Sequence, residues 1–225
     1  PLPFGDCLRP LAAFAKPYPA IGVDAAATIY LYISSHLAAK AAEAIGDTAE
    51  AKRLNERAET VKKAYQREFI TASGRTGYND QTSYALGFLW DLIPAEHYEA
   101  STRYFKETVA RAGGRIGTGF IGTPALLPAL VKIGEPDLAG AVFLQEGLPG
   151  WLFQVKMGAT TIWERWNALN EDGVAFDPQM NSYNHYAYGA VCQWLLEAVA
   201  SFRPDPALPG CVSYTHLTLP TLHSV

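Results

Sequence analysis

The chain has 225 residues, 49% of them hydrophobic, and a formal net charge of −4. That is enough apolar material for one domain with a substantial core, and the mild acidity provides no electrostatic reason to expect nucleic acid or an anionic membrane as a partner. No run reaches the roughly 20 apolar residues of a membrane span, and Pro1-Leu2-Pro3-Phe4-Gly5-Asp6 lacks the basic start and apolar centre of a signal peptide.

The first residue is not Met, so the expectation is that the native start lies upstream. Cys7, Cys192 and Cys211 are too few and too scattered for a disulfide framework or a zinc site, and they read as free thiols. No cofactor or metal is expected.

From Asp24, the stretch AAATIYLYISSHLAAKAAEAI predicts a largely buried helix, with Asp24 as N-cap and Gly46 at its C-terminal stop. His36 falls in its middle and reads as a packing histidine. Asp47 to Glu50 resembles a capping box, and LNERAETVKKAYQREF carries charges on all but one stripe, which predicts a second helix facing water. A polar, glycine-containing loop (73–80) leads to an apolar helix over about 81–93. A charged helix then starts near Pro94 and ends at Gly113-Gly114. A third pair follows, with Thr123 as N-cap and Pro124 at the first helical position, then a helix opened by Pro136. A long non-helical connection (148–184) precedes a last helix over about 185–202. The count is seven helices and no convincing strand pair.

Apolar helices therefore start near residues 24, 80, 124 and 184, and a more charged one follows each of the first three. Such αα-hairpins bury their apolar members only by stacking side by side. In a closed toroid the apolar helices line the inside, and the loops leading into them gather at one end.

Two polar-aromatic segments fall in those loops. In Ala159-Thr160-Thr161-Ile162-Trp163-Glu164-Arg165-Trp166 one carboxylate sits between two tryptophans. Indole faces stack on the C–H faces of a sugar, and a carboxylate held between them can activate water or grip hydroxyls. The blander reading makes Trp163 and Trp166 core aromatics and pairs Glu164 with Arg165. The second segment is Asn181-Ser182-Tyr183-Asn184-His185-Tyr186-Ala187-Tyr188-Gly189-Ala190. Its tyrosines read mainly as wall or core.

Together, ATTIWERW and MNSYNHYAYGAV resemble the catalytic region of the bacterial α-L-rhamnosidases, inverting glycoside hydrolases with an (α/α)6 barrel. The likeness extends to Gly5-Asp6, Gln81-Thr82-Ser83-Tyr84-Ala85-Leu86 and Gly117-Thr118-Gly119-Phe120-Ile121-Gly122-Thr123-Pro124. The resemblance implies an all-α, incomplete (α/α)6 barrel with about seven of twelve helices present. It assigns the general base to Glu164 and sugar contacts to His185, Trp163, Trp166 and Asp6, the last as a hydroxyl-binding or scaffold position. The family's general acid lies in an upstream acidic motif with no counterpart here. The tryptophan that usually follows the Gly-Asp pair is replaced by Cys7, which removes a stacking face.

The expected partners are thus a rhamnoside substrate and upstream domains of the same full-length chain, with no nucleic acid and no membrane, in a bacterial cytoplasm or periplasm. Residues 1–211 are expected to form the C-terminal part of the catalytic domain. Val212 to Thr221 has β-type composition and resembles one reading frame of a transposase adapter, so residues 212–225 are expected to be a non-native tail; a genuine C-terminal strand is the alternative. The competing functions are another (α/α)6 hydrolase acting on a different sugar, and a non-catalytic helical sugar-binding or scaffold module.

Overall fold

The computed structural model describes residues 6–7, 20–176, 181–205 and 212–214. The described chain is a succession of helices: α1 (Val23–Ala44), α2 (Thr48–Phe69), α3 (Gln81–Leu89), α4 (Tyr98–Arg111), α5 (Thr123–Lys132), α6 (Pro136–Phe143), α7 (Trp151–Lys156) and α8 (Val191–Trp194). One core runs through them, including Ile29, Tyr84, Phe88, Phe105, Leu126, Leu130 and Trp166. The inner helices pack on one another, α1 on α3, α3 on α5 and α5 on α8, while α2, α4 and α6 pack outside α1, α3 and α5. This is the arc of an (α/α) toroid that the alternation of apolar and charged helices predicts.

Local chemistry explains most helix ends. Asp47 accepts a hydrogen bond from the Glu50 N–H at 3.0 Å and starts α2. Gly46 turns the chain with φ +81°, a conformation that costs residues with a Cβ. Asp80 caps α3 through the Ser83 N–H at 3.0 Å and its hydroxyl at 2.5 Å. Two expected caps move by a residue or two. Gly22 precedes α1 while Asp24 lies in its first turn, and Gly122 rather than Thr123 precedes α5. Asp24 instead accepts from the Ala25 N–H and from the Tyr78 hydroxyl, which ties the start of α1 to the loop before α3.

Four expectations are corrected. The connection over 148–184 is not wholly non-helical, because α7 forms within it. The last helix is composite: a 3-10 turn (Ala187–Ala190), then α8, then a π turn (Leu195–Val199). A strand pair exists, with β1 (Phe202–Pro204) antiparallel to β2 (Val212–Tyr214) and Phe202 opposite Tyr214. Lastly, α1 is buried on one side only: Tyr30, Leu31, Leu37 and Ile45 are exposed, since among the described residues nothing packs on that side. Cys7 and Cys192 are free thiols, as expected, and Cys211 lies outside the described residues.

Candidate active site

A chain of buried hydrogen bonds draws the starts of the inner helices together at one end. Every residue from Gln81 to Phe88 is buried, so the polar side chains opening α3 must be satisfied inside the protein. Gln81 donates to the Arg115 carbonyl at 2.9 Å and accepts from the Gly117 N–H at 2.7 Å. The Thr82 hydroxyl donates to Asp6. Asp6 Oδ2 also accepts from the Gly119 N–H at 2.7 Å, while Oδ1 accepts from the N–H groups of Ile121 and Gly122 at 2.9 and 3.2 Å. The loop before α5 is thus wound around one carboxylate, which is 8% exposed. Burial is the largest influence on that carboxyl and raises its pKa, against the four hydrogen bonds that favour the charged form. Asp6 therefore spends its acceptor capacity on protein donors.

The aromatic segment is built on the same frame. The Trp166 indole N–H donates to the Thr118 carbonyl at 3.0 Å, and its ring stacks on Tyr188 (centroids 4.0 Å apart, 19°) with the Trp151 ring edge-on at 5.2 Å. Its exposure is 0%. Trp163 is also buried, packed edge-to-face with Tyr183. Both indoles therefore spend their faces on packing inside the protein, and neither presents an exposed stacking face. Trp151 locks the same floor by donating to the Tyr188 carbonyl at 2.9 Å.

Glu164 and His185, distant in sequence, are brought onto one ribbon. The Glu164 N–H donates to the Ser182 carbonyl at 2.8 Å, the His185 N–H donates to the Ile162 carbonyl at 2.8 Å, and the Thr161 hydroxyl donates to the Tyr183 carbonyl. The Glu164 carboxylate is partly exposed, and its Oε2 accepts from the Ser182 N–H at 2.8 Å. Among the described residues, Oε1 has no hydrogen-bond donor. The expected pairing with Arg165 in the blander reading is not formed; the Arg165 guanidinium instead lies 4.9 Å over the Phe176 ring.

The His185 ring accepts from the Ala187 N–H through Nδ1 at 3.3 Å, which assigns the neutral ring's proton to Nε2. Phe120 lies on one side of the imidazole at 5.0 Å and 15°, and Tyr186 stacks on it at 5.4 Å and 8°.

Sequence reasoning placed Phe120, Tyr186 and Asp80 in segments at this end but gave no individual role to Phe120 or Asp80 and read Tyr186 only as wall or core. The Gly-rich setting of Phe120 is the one signal that could have found it: in Gly117-Thr118-Gly119-Phe120-Ile121-Gly122 it is the one aromatic side chain. Asp80 sits below, where burial is the main cause that pushes its carboxyl up to about 6, and Asp6 adds a smaller like-charge contribution.

Inner helices backed by outer ones, with polar groups converging where the inner helices begin, define an incomplete six-hairpin toroid. The chain belongs to the bacterial alpha-L-rhamnosidase six-hairpin glycosidase domain family, whose model matches residues 5–199. It is 35% identical over 185 residues to an alpha-L-rhamnosidase of Streptomyces avermitilis, covering 82% of this chain and 18% of that protein. It is 34% identical over 206 residues to one of Formosa agariphila, covering 88% and 22%. The chain thus spans about a fifth of the length of the curated relatives it matches. Among solved structures it superposes on Streptomyces avermitilis alpha-L-rhamnosidase complexed with L-rhamnose with a TM-score of 0.82 and 31% identity, covering 93% of this chain and 19% of that one. Against the Aspergillus terreus enzyme the TM-score is 0.84 at 33% identity, covering 92% and 24%.

Proposed function

We propose that this chain supplies the water-activating half of an α-L-rhamnosidase site, acting by inversion on terminal α-L-rhamnose. The observation that carries the proposal is the Glu164 carboxylate, anchored by the Ser182 N–H through one oxygen while the other has no donor among the described residues, on the ribbon that carries His185. An anchored carboxylate with a free oxygen can take a proton from water at a defined position, which is the task of a general base. Inversion also needs a carboxylic acid roughly 6.5–9.5 Å away to protonate the leaving oxygen. Asp6 and Asp80 are buried and engaged with protein donors, so neither is suited to that role. The acid is then contributed by other parts of a longer chain, in keeping with the small share of its relatives that this chain spans. His185 Nε2–H donates to a sugar hydroxyl, and Trp163, Trp166 and Asp6 hold the frame beneath. A binding module could use the same oxygen to accept from a sugar hydroxyl, and turnover that depends on Glu164 separates the proposal from that role.

The test replaces the matching segment of a full-length relative with residues 5–199 and measures turnover of an aryl α-L-rhamnoside, with anomeric product followed by NMR. Glu164→Gln should leave the melting curve unchanged and lower kcat by at least about two orders of magnitude. Near-parental turnover by the Gln variant would remove Glu164 from the mechanism, and retention of anomeric configuration would remove inversion.

A further inference from the structure

Four backbone N–H groups of the loop before α5 are fully committed. Those of Gly119, Ile121 and Gly122 go to the Asp6 carboxylate, and that of Phe120 goes to the Cys7 carbonyl at 2.9 Å. Held this way, the half-buried Phe120 ring lies against His185 nearly parallel, with the Tyr188 ring edge-on to it at 5.4 Å. Imidazole orientation needs such help, because the last torsion of histidine is broad and roughly two-fold. The direction of its N–H is otherwise loosely defined, and hydrogen bonds weaken steeply when misaligned. The Ala187 N–H selects the tautomer and the parallel rings of Phe120 and Tyr186 select the plane.

We infer that Phe120 is a positioning residue for His185, and that Asp6 acts on the sugar through it by fixing the loop. This rests on the proposed sugar contact of His185. A packing role alone would be met by any apolar side chain of similar size, whereas a positioning role needs a flat ring. The substitution that distinguishes them is therefore Phe120→Leu, with Phe120→Tyr as the variant that restores the ring.

The experiment uses the chimera described above, titrated with L-rhamnose by calorimetry, together with nitrogen-15 spectra of the imidazole. The parent should show one tautomer, protonated at Nε2. Phe120→Leu should weaken rhamnose about three- to tenfold, the scale of one hydrogen bond, and draw the two ring nitrogen signals toward each other. Phe120→Tyr should restore both. Asp6→Asn, which replaces an acceptor oxygen by a donor, should change the nitrogen signals in the same direction. In the His185→Ala background Phe120→Leu should cost no further affinity, because a residue acting through His185 has nothing left to position.

Parental nitrogen signals in Phe120→Leu, or fully additive losses in the double variant, would overturn the inference. Equal rhamnose affinity of the parent and His185→Ala would instead overturn the sugar contact itself, and the nitrogen spectra would still report whether Phe120 orients the ring.

Discussion

At the scale of single residues, the site divides into side chains that face outward and carboxylates sealed below them. The candidate pair, Glu164 and His185, can be picked out because blocks of sequence carry both. Their relation was not, since it depends on backbone pairing across about twenty intervening residues. The direction of an indole face was not legible either. Trp163 and Trp166 suit a sugar by composition, and only packing shows that their area is spent on the core. Asp80 shows how burial acts on stability. Burial pushes its carboxyl up to about 6 from the ordinary 3.8, so folding favours the protonated form. The associated stability is complete below about pH 4 and is lost as pH rises through 6. At about 1.4 kcal/mol per unit this is on the order of 3 kcal/mol. Asp6 is displaced in the same direction. Asp80→Asn keeps an oxygen to cap Ser83 and cannot ionise, so it should flatten the fall in urea-unfolding stability between pH 4.5 and 7. An Asn variant with the parental slope would show that Asp80 is ionised freely in the fold.

At the scale of elements, helices with ordinary punctuation were found and irregular ones were not. α2 has a capping aspartate and α4 a Gly-Gly stop, and these ends lie where the sequence puts them, although α4 begins at Tyr98, after a 3-10 turn (Ala95–His97) at the start expected near Pro94. α7 has six residues, too few for a periodic signal, and glycine precedes it. α3 ends at Leu89, earlier than the apolar run suggests, because Asp91 takes φ +54° and turns the chain. The π turn after α8 has no sequence signature that periodicity can detect.

The loop before α5 is the element with least tolerance. A Cβ at Gly119 would lie 2.0 Å from the Cys7 carbonyl oxygen, and one at Gly122 would lie 2.2 Å from the Thr82 hydroxyl. Gly119→Ala must therefore push apart the two strands of chain that Asp6 joins. It should destabilise the protein by roughly 1–3 kcal/mol, the cost of disrupting buried hydrogen bonds, or several degrees in melting temperature for a chain of this size. A melting temperature within a degree of the parent would show that the clamp has slack.

At the scale of the molecule, alternation between apolar and charged helices revealed the ring-like arrangement, because only inner helices must be apolar on most sides. The same reading made α1 too buried. Its outer stripe includes Leu31, Leu37 at 48% exposure and Ile45 at 83%, and the one lysine on the helix, Lys40, does little to break it. Exposed apolar area of this kind favours association. The chain as given should sediment partly as oligomers at micromolar concentration. Leu31→Lys with Leu37→Lys should shift it toward monomer with a melting temperature close to the parent's, since neither side chain is buried. Unchanged sedimentation of the double variant would place the sticky surface elsewhere.

The ribbon joining residues 161–164 to 182–185 has one more consequence, for how such a site can vary. Because the crosslinks lie at the base of the excursion, the relative placement of Glu164 and His185 is indifferent to the length of what lies beyond Ala168, where the Asn181 side chain adds a last tie at 2.8 Å. The tip, a tight reversal from Asn170 to Val174 with Gly173 at φ +77°, can accept insertions, deletions or a proteolytic nick as a side branch of the chain. Loop length there can drift between relatives while the carboxylate and the imidazole stay in register.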